Sequence, residues 1–208
     1  MLVNILICLC VGYICGCFMT GYFVSKIKKI DIRKHGSGNV GTTNSIRVFG
    51  KKVGYLIFLG DFLKSFIPVM LFKLVFFKDD PWVSVLCLLV GLGAILGHDF
   101  PFFLKFKGGK GVATMVGAIC GYDWRYFIVI AIVFFGVFEI WRFVSLGSII
   151  TSIAIPVFML VFHWGEWWEF LITVLYCLLT VWAHRSNIKR LINGTENAFP
   201  RKKKKEEA

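Results

Sequence analysis

The sequence predicts an all-α integral membrane protein of about seven transmembrane helices, with its N-terminus outside, its C-terminus inside and glycine-rich cytoplasmic loops forming a site. Three observations carry this. Apolar residues make up 57% of the 208 positions, and the mean hydropathy is +0.74, both typical of membrane chains. The apolar residues fall into runs near the length that crosses a bilayer core, about 20 residues. The basic residues fall mostly between those runs, at alternate connections. A single membrane domain over 1–208 is expected, with a basic cytoplasmic tail from about 193 to 208.

The first run, 3–25, has no basic n-region and is followed by Lys26, Lys28 and Lys29. A cleaved signal peptide has the reverse polarity, so this is expected to be an uncleaved first span. Its Cys8, Cys10, Cys15 and Cys17 lack the spacing and partners of a zinc site. With Cys87, Cys120 and Cys177 they read as small buried hydrophobes. The second run, 53–77, contains Asp61 and Lys64, which share a helix face at i, i+3. Ionisable groups inside a bilayer are costly and pair, so an internal ion pair is expected, with a supporting role at a site as the sharper alternative. The third run is 82–104. The fourth, 112–122, is short, as for a tilted or half-crossing helix. The last three are 125–141, 146–164 and 167–184, and Glu139, three residues before Arg142 at the inner end of the fifth, carries the same two readings, an ion pair or a supporting role at a site.

Charge fixes the orientation. From an outside N-terminus, the inner segments and tail hold 20 of the 24 basic residues. The outer loops hold Lys78 and Arg125 against Asp79, Asp80, Asp123, Glu166 and Glu169, which obeys the positive-inside rule. The net charge of +12 therefore belongs beside anionic lipid. With no nucleic-acid-binding motif present, a nucleic-acid partner is excluded. The run Arg201–Lys205 reads as a topology signal without chemistry.

Four polar islands then share the cytoplasmic face. The first is His35-Gly36-Ser37-Gly38-Asn39-Val40-Gly41-Thr42-Thr43-Asn44, with Arg47 downstream. The second is Gly97-His98-Asp99-Phe100-Pro101 with Phe106-Lys107-Gly108-Gly109-Lys110-Gly111 and Thr114. The others are Arg142-Phe143-Val144-Ser145 and His184-Arg185-Ser186-Asn187-Ile188-Lys189-Arg190-Leu191. Glycines let backbone N–H groups converge on an oxyanion, and Ser, Thr, Asn, Lys and Arg supply further donors. Phosphate chemistry at the membrane surface is the expectation. Gly36-Ser37-Gly38-Asn39-Val40-Gly41 matches G-x-G-x-x-G, but no strand precedes it, which excludes a dinucleotide fold. Gly108-Gly109-Lys110-Gly111 lacks the Ser or Thr after Lys of a nucleotide P-loop. His98 and His184 form no metal set with cysteine or carboxylate. No His is followed five residues later by Asp, so the dyad of the soluble-domain lipid acyltransferases is absent. A transporter would need an internal repeat and a midplane site. A lipid-binding scaffold would not need glycines interleaved with Asn, Ser and Thr.

These motifs, with Leu146-Gly147-Ser148 and Gly194-Thr195-Glu196, resemble the bacterial acyl-phosphate:glycerol-3-phosphate acyltransferases, the PlsY family, over essentially the whole chain. Thr42 and Gly147 stand where the family more often has Ala. The resemblance implies a seven-helix enzyme of the bacterial cell membrane with its active site on the cytoplasmic face. It would transfer a fatty acyl group from acyl-phosphate to the 1-hydroxyl of glycerol 3-phosphate, giving lysophosphatidic acid and phosphate. The donor is a mixed anhydride, so no cofactor or metal is implied. The implied partners are acyl-phosphate, glycerol 3-phosphate and membrane lipids, with coupling to the acyl-phosphate-forming enzyme as a further option.

Expected catalytic residues are Ser37, Arg47, Lys110, His184 and Asn187. Ser37, Lys110 and the glycine-island amides bind acyl-phosphate, Arg47 and Lys107 offset phosphate charge, and Asn187 and His184 orient glycerol 3-phosphate. The wider phosphate-binding set is Gly36, Gly38, Asn39, Gly41, Thr42, Thr43, Asn44, His98, Gly108, Gly109, Gly111, Thr114, Arg142 and Ser145. The general base is His184 or a substrate phosphate, and no base adjoins Ser37 to make it a covalent acyl carrier.

Overall fold

The structure is a computed structural model that describes residues 1–199, so the 201–205 basic run and most of the tail lie outside the described residues. Among the described residues every regular element is helical. The α-helices in chain order are α1 (Leu2–Cys17), α2 (Thr20–Ile27), α3 (Thr42–Phe49), α4 (Lys51–Leu71), α5 (Val83–Asp99), α6 (Val112–Tyr122), α7 (Arg125–Trp141), α8 (Val144–Phe162), α9 (Trp167–Ala183) and α10 (Arg185–Ile192).

The apolar runs of the sequence are these helices within a few residues, with four departures. The first run is broken at Phe18–Met19, where the backbone becomes extended. The second ends in a wider π turn, Phe72–Phe76. It follows Pro68, whose ring removes a backbone donor from the α4 ladder. The third run is interrupted at Phe100–Pro101, after α5 ends at Asp99. The last turns by 60° at His184 into α10. Among the described residues four helical runs are long and apolar enough to cross a bilayer, and α9 with α10 makes a fifth if the bent pair is one span. The expected seven are therefore not all met by length. α6 has 11 residues and α7 has 17, spanning roughly 16 and 25 Å at 1.5 Å per residue, against a core of about 30 Å.

Small residues hold the bundle together. α1 lies against α5 because Gly12 and Gly16 face the backbone of Val90 and Ala94, while Gly93 and Gly97 face that of Leu9 and Tyr13. A methyl group at any of the four would overlap main-chain atoms of the other helix. α4 and α6 meet the same way at Gly117, against the Phe62 carbonyl. In lipid there is no hydrophobic drive between helices, so close backbone approach supplies the association energy. α5 is the central element, buried among α1, α4, α6 and α9 with Leu86, Leu88, Val90 and Ile95 in the core. Tyr176 of α9 crosses to it and donates its hydroxyl to Leu88 O at 2.6 Å. α7 packs mainly on α8 and only slightly on α6, which leaves a gap between α7 and the α4–α6 pair.

Candidate active site

That gap is a cavity of about 430 Å³. Its wall joins Ser37, Asn39, Gly41, Thr42, Thr43, Asn44 and Arg47 from the first island to Lys110 and Gly111 from the second. Ser145, His184 and Asn187 complete the predicted residues in contact with it, and His98 lines it with Asp61. Thirteen of the expected residues thus meet in one space. Gly36, Gly38, Lys107, Gly108, Gly109, Thr114 and Arg142 are not part of its wall. Lys107 is exposed, and Arg142 pairs with Glu139. Thr114 gives its carbonyl to Ser65 Oγ at 2.7 Å.

The first island is shaped by one amide. Asn44 Oδ1 accepts from Ser37 N at 2.9 Å. Asn44 Nδ2 donates to the carbonyls of Asn39 at 2.9 Å, His35 at 3.0 Å and Ile32 at 3.3 Å. The buried amide is fully used in folding the loop, so Asn44 serves the site by positioning Ser37 and Asn39. The loop needs Gly36 and Gly38 for their positive φ of 59° and 73°. A second local bond, Gly41 N to Asn39 Oδ1 at 2.7 Å, leads into α3.

Two helix N-termini then open on the cavity, α3 at Thr42 and Thr43 and α6 at Val112 and Ala113. Their first amides have no intrahelical acceptor, and each terminus carries a partial positive charge. Arg47, Lys110 and Arg190 add full charges to the same wall. Such a setting suits phosphate.

Lys110 is anchored by the side-chain oxygen of Asn187. Asn187 in turn donates Nδ2 to Glu196 Oε1 at 2.7 Å, where Ser145 Oγ also donates at 2.9 Å, and Arg190 Nε binds Glu196 Oε2 at 2.7 Å. Burial pushes the Glu196 carboxyl up, but the bonds from Asn187, Arg190 and Ser145 outweigh this and hold it below its ordinary value. Burial, and then the cations of Arg190, Arg185 and Arg47, pull the Lys110 ammonium down to about 8 against the opposing field of Glu196. His184 places Nδ1 2.8 Å from the Thr180 carbonyl. A carbonyl only accepts, so Nδ1 carries the proton and Nε2 keeps a lone pair.

Sequence reasoning passed over Glu196, Arg190 and Asn197 as site residues, although Glu196 is the lone carboxylate between Arg185 and Arg201. It also passed over the other half of the cavity. Phe58, Val116, Phe127, Ile130, Ala131, Phe134 and Phe135 make a wholly apolar wall continuous with the cationic one. Nothing in an apolar run marks which of its faces turns to a cavity rather than to lipid.

Known proteins resemble this chain along nearly its whole length. The family model described as glycerol-3-phosphate acyltransferase matches residues 6–194. Glycerol-3-phosphate acyltransferase 2 of Lactobacillus acidophilus is 43% identical over 190 residues, covering 91% of this chain and 87% of that one. Glycerol-3-phosphate acyltransferase of Geobacter sulfurreducens is 40% identical over 200 residues, covering 95% and 99%. A crystal structure of PlsY, an integral membrane glycerol 3-phosphate acyltransferase in its glycerol 3-phosphate form, superposes with a TM-score of 0.86. It has 38% sequence identity over 94% of this chain and 96% of that one. Its lysophosphatidic acid form gives 0.84 and 37%.

Proposed function

This chain belongs to the glycerol-3-phosphate acyltransferase family, and from that premise we propose how its cavity carries out the reaction and from which donor. The enzyme acylates glycerol 3-phosphate to lysophosphatidic acid. The donor we assign is a fatty acyl-phosphate and the acceptor atom the 1-hydroxyl. One observation carries the assignment: a single cavity has a cationic wall built on two helix N-termini and an apolar wall of aromatic side chains. An acyl-phosphate has a phosphate at one end and an alkyl chain at the other, and it needs no adenine or pantetheine subsite.

The hydroxyl oxygen bonds to the acyl carbon, and the anhydride C–O bond breaks with its electron pair leaving on phosphate. His184 is fitted to take the hydroxyl proton, since Thr180 holds Nδ1–H and leaves Nε2 as the acceptor. Arg47, Lys110 and the amides at Thr42 and Val112 stabilise the phosphates and the leaving group. Asn187 and Ser145 reach substrate hydroxyls while Glu196 holds both in place. The activated donor requires no metal or cofactor.

The charge asymmetry of the connections supports a reading of seven crossings with the N-terminus outside, and of a site on the cytoplasmic side of a bacterial membrane. Membrane lipids are the medium, and the enzyme that makes acyl-phosphate is the partner such a site would be supplied by. Purified protein in lipid nanodiscs, given glycerol 3-phosphate, EDTA and either palmitoyl-phosphate or palmitoyl-CoA, tests the assignment. Lysophosphatidic acid and phosphate form from palmitoyl-phosphate alone. Product from the CoA ester alone overturns the donor, and loss of product on adding EDTA overturns the metal-free step.

A further inference from the structure

Below the phosphate side of the cavity lies a buried charge cluster that the reaction as described does not use. Lys64 of α4 is 9% exposed. Its Nζ donates to Gly16 O at 2.9 Å and Phe18 O at 3.0 Å, the carbonyls freed where α1 ends. Asp61 Oδ1 lies 3.1 Å away. The fourth neighbour is His98 Nδ1, at 2.7 Å. Three of the four are oxygens that only accept, so they call for all the hydrogens of an ammonium. Nδ1 of His98 therefore faces a cation that has no lone pair to receive a hydrogen and whose three hydrogens are shared among four acceptors, so the single proton of the neutral ring sits on Nε2.

Nε2 has no protein partner among the described residues, and His98 lines the cavity. The ring edge lies against Gly109, where a methyl group would overlap Nε2. Gly109 N is bound to His98 O at 3.0 Å, and Gly108 N to Asp99 O at 3.0 Å. The glycine loop and the imidazole are thus one unit, and the Lys64–Asp61 pair sets its proton. His184 on the same cavity carries the opposite arrangement, with Nδ1–H bound and Nε2 free to accept.

We propose that Lys64 and Asp61 are positioning residues that fix His98 as the Nε2–H tautomer, and that His98 donates this hydrogen to the acyl carbonyl oxygen of the donor substrate. The inference rests on the reading of the cavity as an acyl-transfer centre. A neutral donor beside an internally neutral ion pair is a poor anchor for a phosphate dianion, which the cationic wall already serves. It suits a carbonyl oxygen that becomes negative only as the hydroxyl oxygen bonds to carbon. His98 gives a hydrogen bond and no proton. The bond pair still leaves on phosphate and the hydroxyl proton still goes to His184.

The first measurement is the tautomer itself, by long-range nitrogen–proton correlation on ¹⁵N-histidine enzyme in nanodiscs without substrate, with His98 assigned by His98→Gln. The expected result is a proton on Nε2, and a proton on Nδ1 overturns the proposal. The second is kinetic. The paired variant Asp61→Asn with Lys64→Met keeps the cluster neutral. It should lower kcat about tenfold or more while both KM values stay within about twofold, the mark of an interaction made in the transition state. An unchanged kcat, or a fall confined to KM, overturns it. The third uses shape: His98→Gln places an amide N–H near the Nε2 position and retains more activity than His98→Asn, which mimics Nδ1. Equal loss in the two variants overturns the donor role. The tautomer is read without substrate, so its failure is separable from a failure of acyl transfer, which the wild-type assay reports alone.

Discussion

Lys110 and Asn187, 77 positions apart in the chain, are hydrogen bonded to each other, ammonium to amide oxygen. The carboxylate of Glu196 touches Asn187 and not Lys110. A neutral amide thus stands between the cation and the anion, and the positive charge stays available to a ligand while its geometry is fixed.

The first consequence is a pH limit. Burial lowers Lys110 to about 8, so its charge is complete below that pH and lost above it, well before an ordinary lysine would titrate. For the acyl-phosphate donor kcat/KM should be flat near pH 7 and fall by about tenfold per unit above roughly pH 8. Lys110→Arg, which remains charged, should remove this alkaline limb even where its overall rate is lower. A pH series on the two enzymes at fixed ionic strength reads the difference.

Asn187→Asp should turn the spacer into a counter-ion. The new carboxylate would neutralise Lys110 directly and stand close to Glu196. Activity should drop by about 100-fold, and any residual alkaline limb should move above pH 8, because a neighbouring anion raises a lysine pKa. Steady-state rates for the variant across the same pH range check both effects.

Asn44→Asp changes little in volume but removes the donors that hold the carbonyls of Ile32, His35 and Asn39. Each orphaned bond costs about 1–3 kcal/mol. The loop should lose its shape while the bundle survives. Acyl transfer should fall by about 100-fold or more, limited proteolysis should open near residues 33–40, and the thermal midpoint of the bundle should move by only a few degrees.

The helix contacts predict an opposite pair. Gly97→Ala drives a methyl into the Tyr13 carbonyl of α1, whereas Gly136 on α7 has open space around it. The first should destabilise by about 1–3 kcal/mol, the second should stabilise by about 0.5–1 kcal/mol through helix propensity. Thermal unfolding in one detergent compares them.

Ala131 of α7 stands on the apolar wall opposite the cationic one. Ala131→Trp should fill the space taken by the distal alkyl chain. Palmitoyl-phosphate turnover should fall by about tenfold or more, while an octanoyl donor keeps most of its rate, since each displaced methylene is worth about 0.8 kcal/mol. Equal loss with both donors would place the chain elsewhere.

Much of this was legible in the residues. The runs of apolar side chains mark the helices because lipid demands continuous hydropathy, and Lys110, Arg47, His184 and Asn187 stand out because polar groups at such ends need a reason. The role of Asn44 was not legible: an amide among glycines looks like a ligand, and only the three-dimensional loop shows its atoms already occupied. The Asp61–Lys64 pair was legible at i, i+3, but its third member, His98, comes from another helix and no spacing reveals it. The crossing count met a similar limit, because α6 and α7 are shorter than the bilayer core and their fit depends on neighbours.

The glycine-faced seam between α1 and α5 has a consequence for how the molecule is made. α1 is made before α5 and meets it only after the second and third membrane runs have been synthesised. Until then Gly12 and Gly16 face acyl chains or the insertion machinery, and the α1 carbonyls have Lys64 before they have α5. The cavity also closes late, because α8 and α10 supply part of its wall. A substitution in this seam should show itself as protein that is inserted with correct topology yet cleared by membrane proteolysis before it becomes active.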